Sequence, residues 1–183
     1  MKSIPSRNLS RGFTLIELLA VVTIIVILAT IVIGALSQMK KKTAANKTKV
    51  TLDRIELDLE SYFNDSQFYP VGEDVFSEIL YTSLSGDFTG RGEGDPVGTI
   101  YWRELLVDGS PDVGQRGGKR IILDGYGQSI RYRSALDAEG NEVQSAKNTD
   151  YDLWSVGADG EPADPNVDSN LQSEETIDDI WAN

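Results

Sequence analysis

One feature constrains this chain more than any other. Residues 13–36 form an apolar run that is uncharged except for one acid, Glu17. A helix of these 24 residues is about 36 Å long, enough to cross a hydrocarbon core of about 30 Å with some tilt. The segment "GALSQ" at the far end of the run has the look of a signal-peptide cleavage site. The apolar core of a secretory signal peptide is shorter than this one, however. Lys2, Arg7 and Arg11 precede the run, and Lys40, Lys41 and Lys42 follow it. With three basic residues on each side, charge bias does not choose an orientation.

Glu17 is the unusual residue. An ionised acid within hydrocarbon is costly and normally has a partner. Counted from Phe13 it is the fifth residue, about 6 Å along the helix. Cleavage between Gly12 and Phe13 would leave a new α-ammonium beside the membrane. Within one helix that amine pairs poorly with its own Glu17. A neighbouring helix, shifted axially, can present its ammonium to this carboxylate. The acid is therefore expected to act as a register device for self-association, as single buried polar residues do in coiled coils. Taken alone, Gly12 reads as a loop glycine, Phe13 as an interfacial aromatic and Glu17 as a snorkelling acid. Their combination and spacing carry the reading.

Those residues resemble a known family. "RGFTLIELL" is similar to the processing site of type IV prepilins and type II secretion pseudopilins. The resemblance implies a leader, residues 1–12, removed after Gly12 by a membrane prepilin peptidase that also methylates Phe13. It implies a polymerisation helix at residues 13–36, and a periplasmic domain at residues 37–183 on the far side of the inner membrane.

Composition removes several other functions. The chain has no cysteine and no histidine. A disulfide framework, a serine–histidine pair and a zinc–histidine centre are therefore excluded. No nucleophile–base constellation remains, and a membrane-anchored enzyme is not expected. The formal net charge is −12, and phosphate contacts need clustered Lys and Arg, so nucleic acid is not an expected partner.

Past the membrane segment, Leu52, Ile55, Leu59 and Tyr62 step along one helical face. No proline lies between Pro5 and Pro70. The first helix is expected to continue as an amphipathic half over residues 43–63, with Gly34 as a point where the rod could bend. "SYFNDSQFYP" ends it with turn formers and Pro70. This exit resembles the "Y-x-x-D-N-G-x-Y-P" of major pseudopilins, with Gln67 in the glycine position. Residues 71–84 read as a short helix, 86–99 and 110–119 as loops, and 100–107 as a core-packing segment. A strand is expected at 129–135, a turn at "EGNE", and a partner strand at 151–157 whose side chains alternate. "DGYG" (124–127) resembles the "D-P-W-G" of major pseudopilins, with Gly–Tyr for Pro–Trp. The expected fold is α+β and type IV pilin-like, a long N-terminal helix packed on a small antiparallel sheet.

The acidic tail, residues 157–183, raises a second question. Its carboxylates would repel one another unless a hard cation gathered them, and calcium takes six to eight oxygens. Spacing alone supports one ligand set. Asp164, Asn166, Asp168 and Glu175 fall at positions one, three, five and twelve of an EF-hand loop. Position six is Ser169 rather than glycine, and no amphipathic helix flanks the loop. A solvated acidic loop with no ligand is the bland reading. Resemblance supplies the other set: "YDLWSVGADG" with "DDIWAN" is similar to the C-terminal calcium loop of major pseudopilins. That implies the carbonyl of Val156 and the carboxylates of Asp159, Asp178 and Asp179 as ligands, with a longer insert between the halves.

The family resemblance implies a homo-oligomeric helical filament, a periplasmic pseudopilus that drives type II protein secretion. It implies the prepilin peptidase, an inner-membrane secretion platform and minor pseudopilins as partners. A type IV pilin or minor pilin for adhesion, motility or DNA uptake is the alternative.

Overall fold

The computed structural model describes residues 13–72, 76–92, 95–137, 140–143, 146–160 and 180–182, without the side chains of 32–37. It divides into two units, residues 1–40 and 41–183.

Helix α1 runs from Leu15 to Ser66. Its hydrogen bonding continues through Gly34, so no break in the helix occurs at the expected bend point. In the second unit α1 buries Leu52, Ile55 and Leu59 completely or nearly so. These are the residues whose three- and four-residue spacing marked a single face. They meet Leu80, Tyr81 and Leu84 of α2 (Glu78–Ser85), Leu105 of a 3-10 turn (Arg103–Leu106), and Ile122, Ile130, Tyr132 and Leu153 of the strands. Burying such side chains contributes roughly 1.5–3 kcal/mol each, and this shared apolar core holds helix to sheet.

Strands β3 (Arg131–Ser134), β4 (Tyr151–Ser155) and β5 (Ile180–Trp181) form an antiparallel sheet in that order. The sequence expectation of an α+β fold with a small antiparallel sheet is met. Three details differ from expectation. In the segment read as a helix at 71–84, residues 71–72 and 76–77 are not helical and α2 begins only at Glu78, because Phe76 instead bridges to Arg131 of the sheet. The segment read as a loop at 110–119 contains β1 (Val113–Arg116), which pairs with β2 (Lys119–Ile122) in a separate hairpin. Gly117 and Gly118 form its two-residue turn with φ of 59° and 82°, values that suit a hairpin turn and cost glycine little. The alternation expected in β4 is also absent. Asp152, Leu153, Trp154 and Ser155 are all buried, because β4 is the central strand and both its faces are covered. Trp154 stacks on Trp181 at 5.0 Å.

The loop at 86–99 is organised by Asp87, which is 6% exposed. Its carboxylate accepts from the Thr89 hydroxyl at 2.6 Å, the Thr89 amide at 3.0 Å and the Gly92 amide at 2.6 Å. Burial works against the charged form. The Thr89 and Gly92 hydrogen bonds outweigh it and hold the carboxyl below the usual aspartate range. At the end of α1, burial and the Glu60 carboxylate push the Tyr69 phenol up to about 12. The phenol therefore stays neutral and donates to Glu60 Oε1 at 2.9 Å.

Gln67, the residue just past the end of α1, has φ of 66°. The left-handed region costs a residue with a Cβ roughly 1–2 kcal/mol. Gln67 recovers part of this by donating from its side-chain amide to the carbonyls of Asn64 and Phe63, at 3.1 and 3.4 Å. Gln67→Gly is expected to stabilise the domain by about 1 kcal/mol, raising the midpoint of thermal unfolding by roughly 2–4 °C. A scanning-calorimetry midpoint unchanged or lowered in Gln67→Gly would show that the side-chain bonds outweigh the strain.

Candidate functional site

The start of α1 presents an apolar surface to which the described chain offers no covering. Phe13 is 80% exposed and Leu15 85%. Ile16, Leu18, Leu19 and every larger apolar residue onward to Ile31 are exposed too. Among the described residues no helix is long and apolar enough to cross a membrane. That description omits the side chains of 32–37, through which the apolar run of the sequence continues to Leu36. A surface this apolar and this extended marks a lipid or protein contact.

Glu17 sits in the first turn of α1. Its Oε2 accepts from the Thr14 amide at 2.9 Å and the Thr14 hydroxyl at 2.8 Å. The Glu17 amide in turn donates to Thr14 Oγ1 at 3.3 Å. This is a reciprocal capping box: a threonine before the helix and a glutamate three residues later satisfy each other's amides. The box explains locally why the helix begins where it does. It also places the carboxylate in the helix's own N-terminal field, where negative charge is favoured. Both Thr14 bonds fall on Oε2, and Oε1 accepts no hydrogen bond from a described residue. The carboxylate thus has one oxygen committed to its own helix and one available to another donor. The sequence reading assigned Glu17 to a neighbouring chain and passed over Thr14, although the T-x-x-E spacing was there to be read. Gly12 lies outside the described residues.

The C-terminal candidates are divided. Val156 is fully buried just beyond β4, and Asp159 is exposed. Asp178 and Asp179 lie outside the described residues, as do Asp164, Asn166, Asp168 and Glu175. Among the described residues no group of three or more Asp or Glu side chains is gathered as a metal site. The structure does place the two ends of the acidic segment together. Ser155 pairs with Ile180 and Trp154 with Trp181, so the chain leaves β4 and returns to it at the same place.

Comparison with known proteins agrees with the geometry of α1. Residues 7–33 match the prokaryotic N-terminal methylation motif. The chain is 40% identical over 153 residues to the type II secretion system core protein G of Escherichia coli (strain K12). That alignment covers 82% of this chain and 83% of the relative. No solved structure matches significantly. A methylation motif at the head of an exposed apolar helix, joined to a domain alignable across most of its length with core protein G, places this chain in the core protein G family, the major pseudopilins.

Proposed function

We propose that this chain is a non-catalytic structural subunit of a type II secretion pseudopilus. It is held in the inner membrane by residues 13–36, with the domain in the periplasm, and polymerises there into a helical filament that drives secretion. The observation that carries this reading is the exposed apolar start of α1, headed by the methylation motif and capped by Thr14 and Glu17. An apolar helix that remains uncovered in its own fold is suited first to lipid and then to the same helix of other subunits. The prepilin peptidase, an inner-membrane platform and minor pseudopilins are the corresponding partners. A type IV pilin or minor pilin role is less well supported, because the long alignment is to a secretion core protein.

The test is mass spectrometry on the membrane-extracted protein together with a secretion assay. The mature chain is expected to lack residues 1–12 and to carry one methyl group on the Phe13 amine. Deleting the gene is expected to stop release of secreted proteins across the outer membrane. A chain that still begins at Met1 in cells containing the peptidase would overturn the processing step. Unchanged secretion with lost surface pili would favour the pilin alternative.

Calcium is the cofactor that this reading brings with it. Supporting it are the return of β5 beside the end of β4 and the carboxylate-rich segment between them, whose hard oxygen donors suit calcium. The Val156 carbonyl and the Asp159, Asp178 and Asp179 carboxylates would hold the ion and clip the segment to the sheet. A soluble fragment beginning near Thr43 is expected to melt at lower temperature in chelator and recover with calcium. The shift corresponds to about 2.7 kcal/mol at a hundredfold excess over Kd. Magnesium, which demands a smaller and stricter octahedron, should rescue poorly. Asp159→Ala or Asp179→Ala is expected to abolish the shift and Glu175→Ala to leave it. The reverse pattern would assign the ion to Asp164, Asn166, Asp168 and Glu175. No shift in any variant, wild type included, would leave an acidic solvated loop.

A further inference from the structure

A loop far along the sequence holds α1 at one closely fitted point. Thr48 is fully buried. Its hydroxyl donates to the Ala44 carbonyl at 3.0 Å and accepts from the Gly125 amide at 3.0 Å. A Cβ at position 125 would lie 2.0 Å from the Ala44 carbonyl oxygen and 3.0 Å from Lys47 Cβ. The backbone of the loop therefore rests directly on the backbone of the helix, and only glycine permits it. Lys47, beside this contact, pairs with Asp112 at 2.8 Å and donates to the Pro111 carbonyl at 3.4 Å. Before Ala44, residues 41–43 are exposed.

The loop is not free to adapt. Asp124 is 1% exposed. Its Oδ1 accepts from the amides of Tyr126 and Gln128, both at 2.8 Å, and its Oδ2 from the Ser155 hydroxyl at 2.5 Å. Ser155 Oγ also accepts from the Gly157 amide at 3.1 Å. The loop is thus fixed to the end of β4 on one side and to α1 on the other. In the stretch of major pseudopilins that it resembles, proline stands where this chain has Gly125. Proline has no N–H for Thr48 and carries a Cβ, so the close seating belongs to this chain's own residues.

We propose that the Thr48–Gly125 contact is a positioning contact for assembly: it sets the point on α1 at which the domain is clamped. The proposal rests on reading the chain as a filament subunit. Growth by repeated heterologous contacts fixes each subunit's rotation and rise against the last. A small error in how the domain grips its own helix is repeated at every step. To bring a Cβ at position 125 from 2.0 Å out to 3.0 Å, loop and helix must separate by about 1 Å. One folded monomer tolerates that shift, whereas a regular helical array multiplies it.

The experiment uses the full-length chain in cells with intact processing and secretion machinery. Wild type is compared with Gly125→Ala, Thr48→Val and Thr48→Ser. Three quantities are read: sheared-filament yield, the amount of folded protease-resistant protein in detergent extracts, and filament rise and twist by electron cryo-microscopy. Thr48→Val keeps the volume and removes the hydroxyl, whereas Thr48→Ser keeps the hydroxyl. Gly125→Ala and Thr48→Val are expected to keep folded protein within about twofold of wild type. They should lose filaments at least tenfold, or give filaments of altered twist. Thr48→Ser should assemble within about twofold of wild type. Normal yield and symmetry in both Gly125→Ala and Thr48→Val would overturn the proposal. So would a filament loss that only follows a loss of folded protein, since the contact would then serve the fold alone. If processed wild-type chain forms no filament, the filament reading itself fails and this proposal with it.

Discussion

Glu17→Val is expected to enter the membrane at the wild-type level, or better, and to yield less than about one hundredth of the wild-type filaments. Insertion needs only the apolar run, and valine makes that run more apolar. Assembly has a further requirement. In the proposed filament, the helix of one subunit would pack against that of the next, and the Phe13 ammonium of the processed chain would leave water and need an acid. With valine in place of Glu17 that ammonium is buried unpaired. Breaking a buried pair in this way costs about 3–5 kcal/mol when both partners are fully buried, and 1.4 kcal/mol is a factor of ten in an equilibrium. The capping box adds a local part to the effect. Without the carboxylate, the Thr14 amide at the helix start loses its acceptor. Thr14→Ala separates the two contributions, because it removes the hydroxyl half of the box and retains the acid with its bond from the backbone amide. It is expected to reduce assembly only modestly, by the roughly 0.5–2 kcal/mol typical of a lost cap. Membrane fractionation and sheared-filament yield measure both variants. Wild-type filament yield from Glu17→Val would remove the acid from assembly altogether.

Asp124→Ala should destabilise the domain by roughly 3–5 kcal/mol, at and above the upper end for ordinary single substitutions, because it breaks a buried hydrogen-bond network. The carboxylate accepts from the Tyr126 and Gln128 amides and the Ser155 hydroxyl, in a site from which water is excluded. Alanine leaves these donors without acceptors, each at about 1–3 kcal/mol before relaxation. Denaturant unfolding of the soluble fragment measures the loss as a lower midpoint at unchanged slope. A loss below about 1 kcal/mol would mean that water or a rearranged loop replaces the carboxylate. The neighbouring Gly125→Ala should behave differently, with assembly lost and the fold retained, so two adjacent residues are expected to separate stability from polymerisation.

The parts of this protein legible in its sequence are those whose physics is local. The apolar run that starts at Phe13 marks the exposed apolar start of the first helix. The methylation motif at residues 7–33 is legible because all of it lies in one contiguous stretch of chain. The three- and four-residue spacing of Leu52, Ile55 and Leu59 determines the buried face of α1. Strands β3 and β4 were recognisable from β-forming residues between turn signals. The capping box was legible as well, since it needs only four consecutive residues.

Tertiary structure decided what depends on partners remote in sequence. Strand β1 holds one large apolar residue, Val113, in four; its pattern is silent, and only pairing with β2 across Gly117–Gly118 makes it a strand. Strand β5 is two residues long and exists because Trp181 stacks on Trp154 and the backbone pairs with β4. The side chains of β4 fail to alternate because the fold covers both its faces, which no window of its own residues records. Gly125 reads locally as a turn glycine. That it must be glycine follows from the Ala44 carbonyl resting against it, a contact between segments 77 residues apart at Thr48 and Gly125. Backbone-to-backbone contact at that distance leaves no periodicity in the chain, because the constraint lies in the space the partner occupies rather than in any property of the residue that yields it.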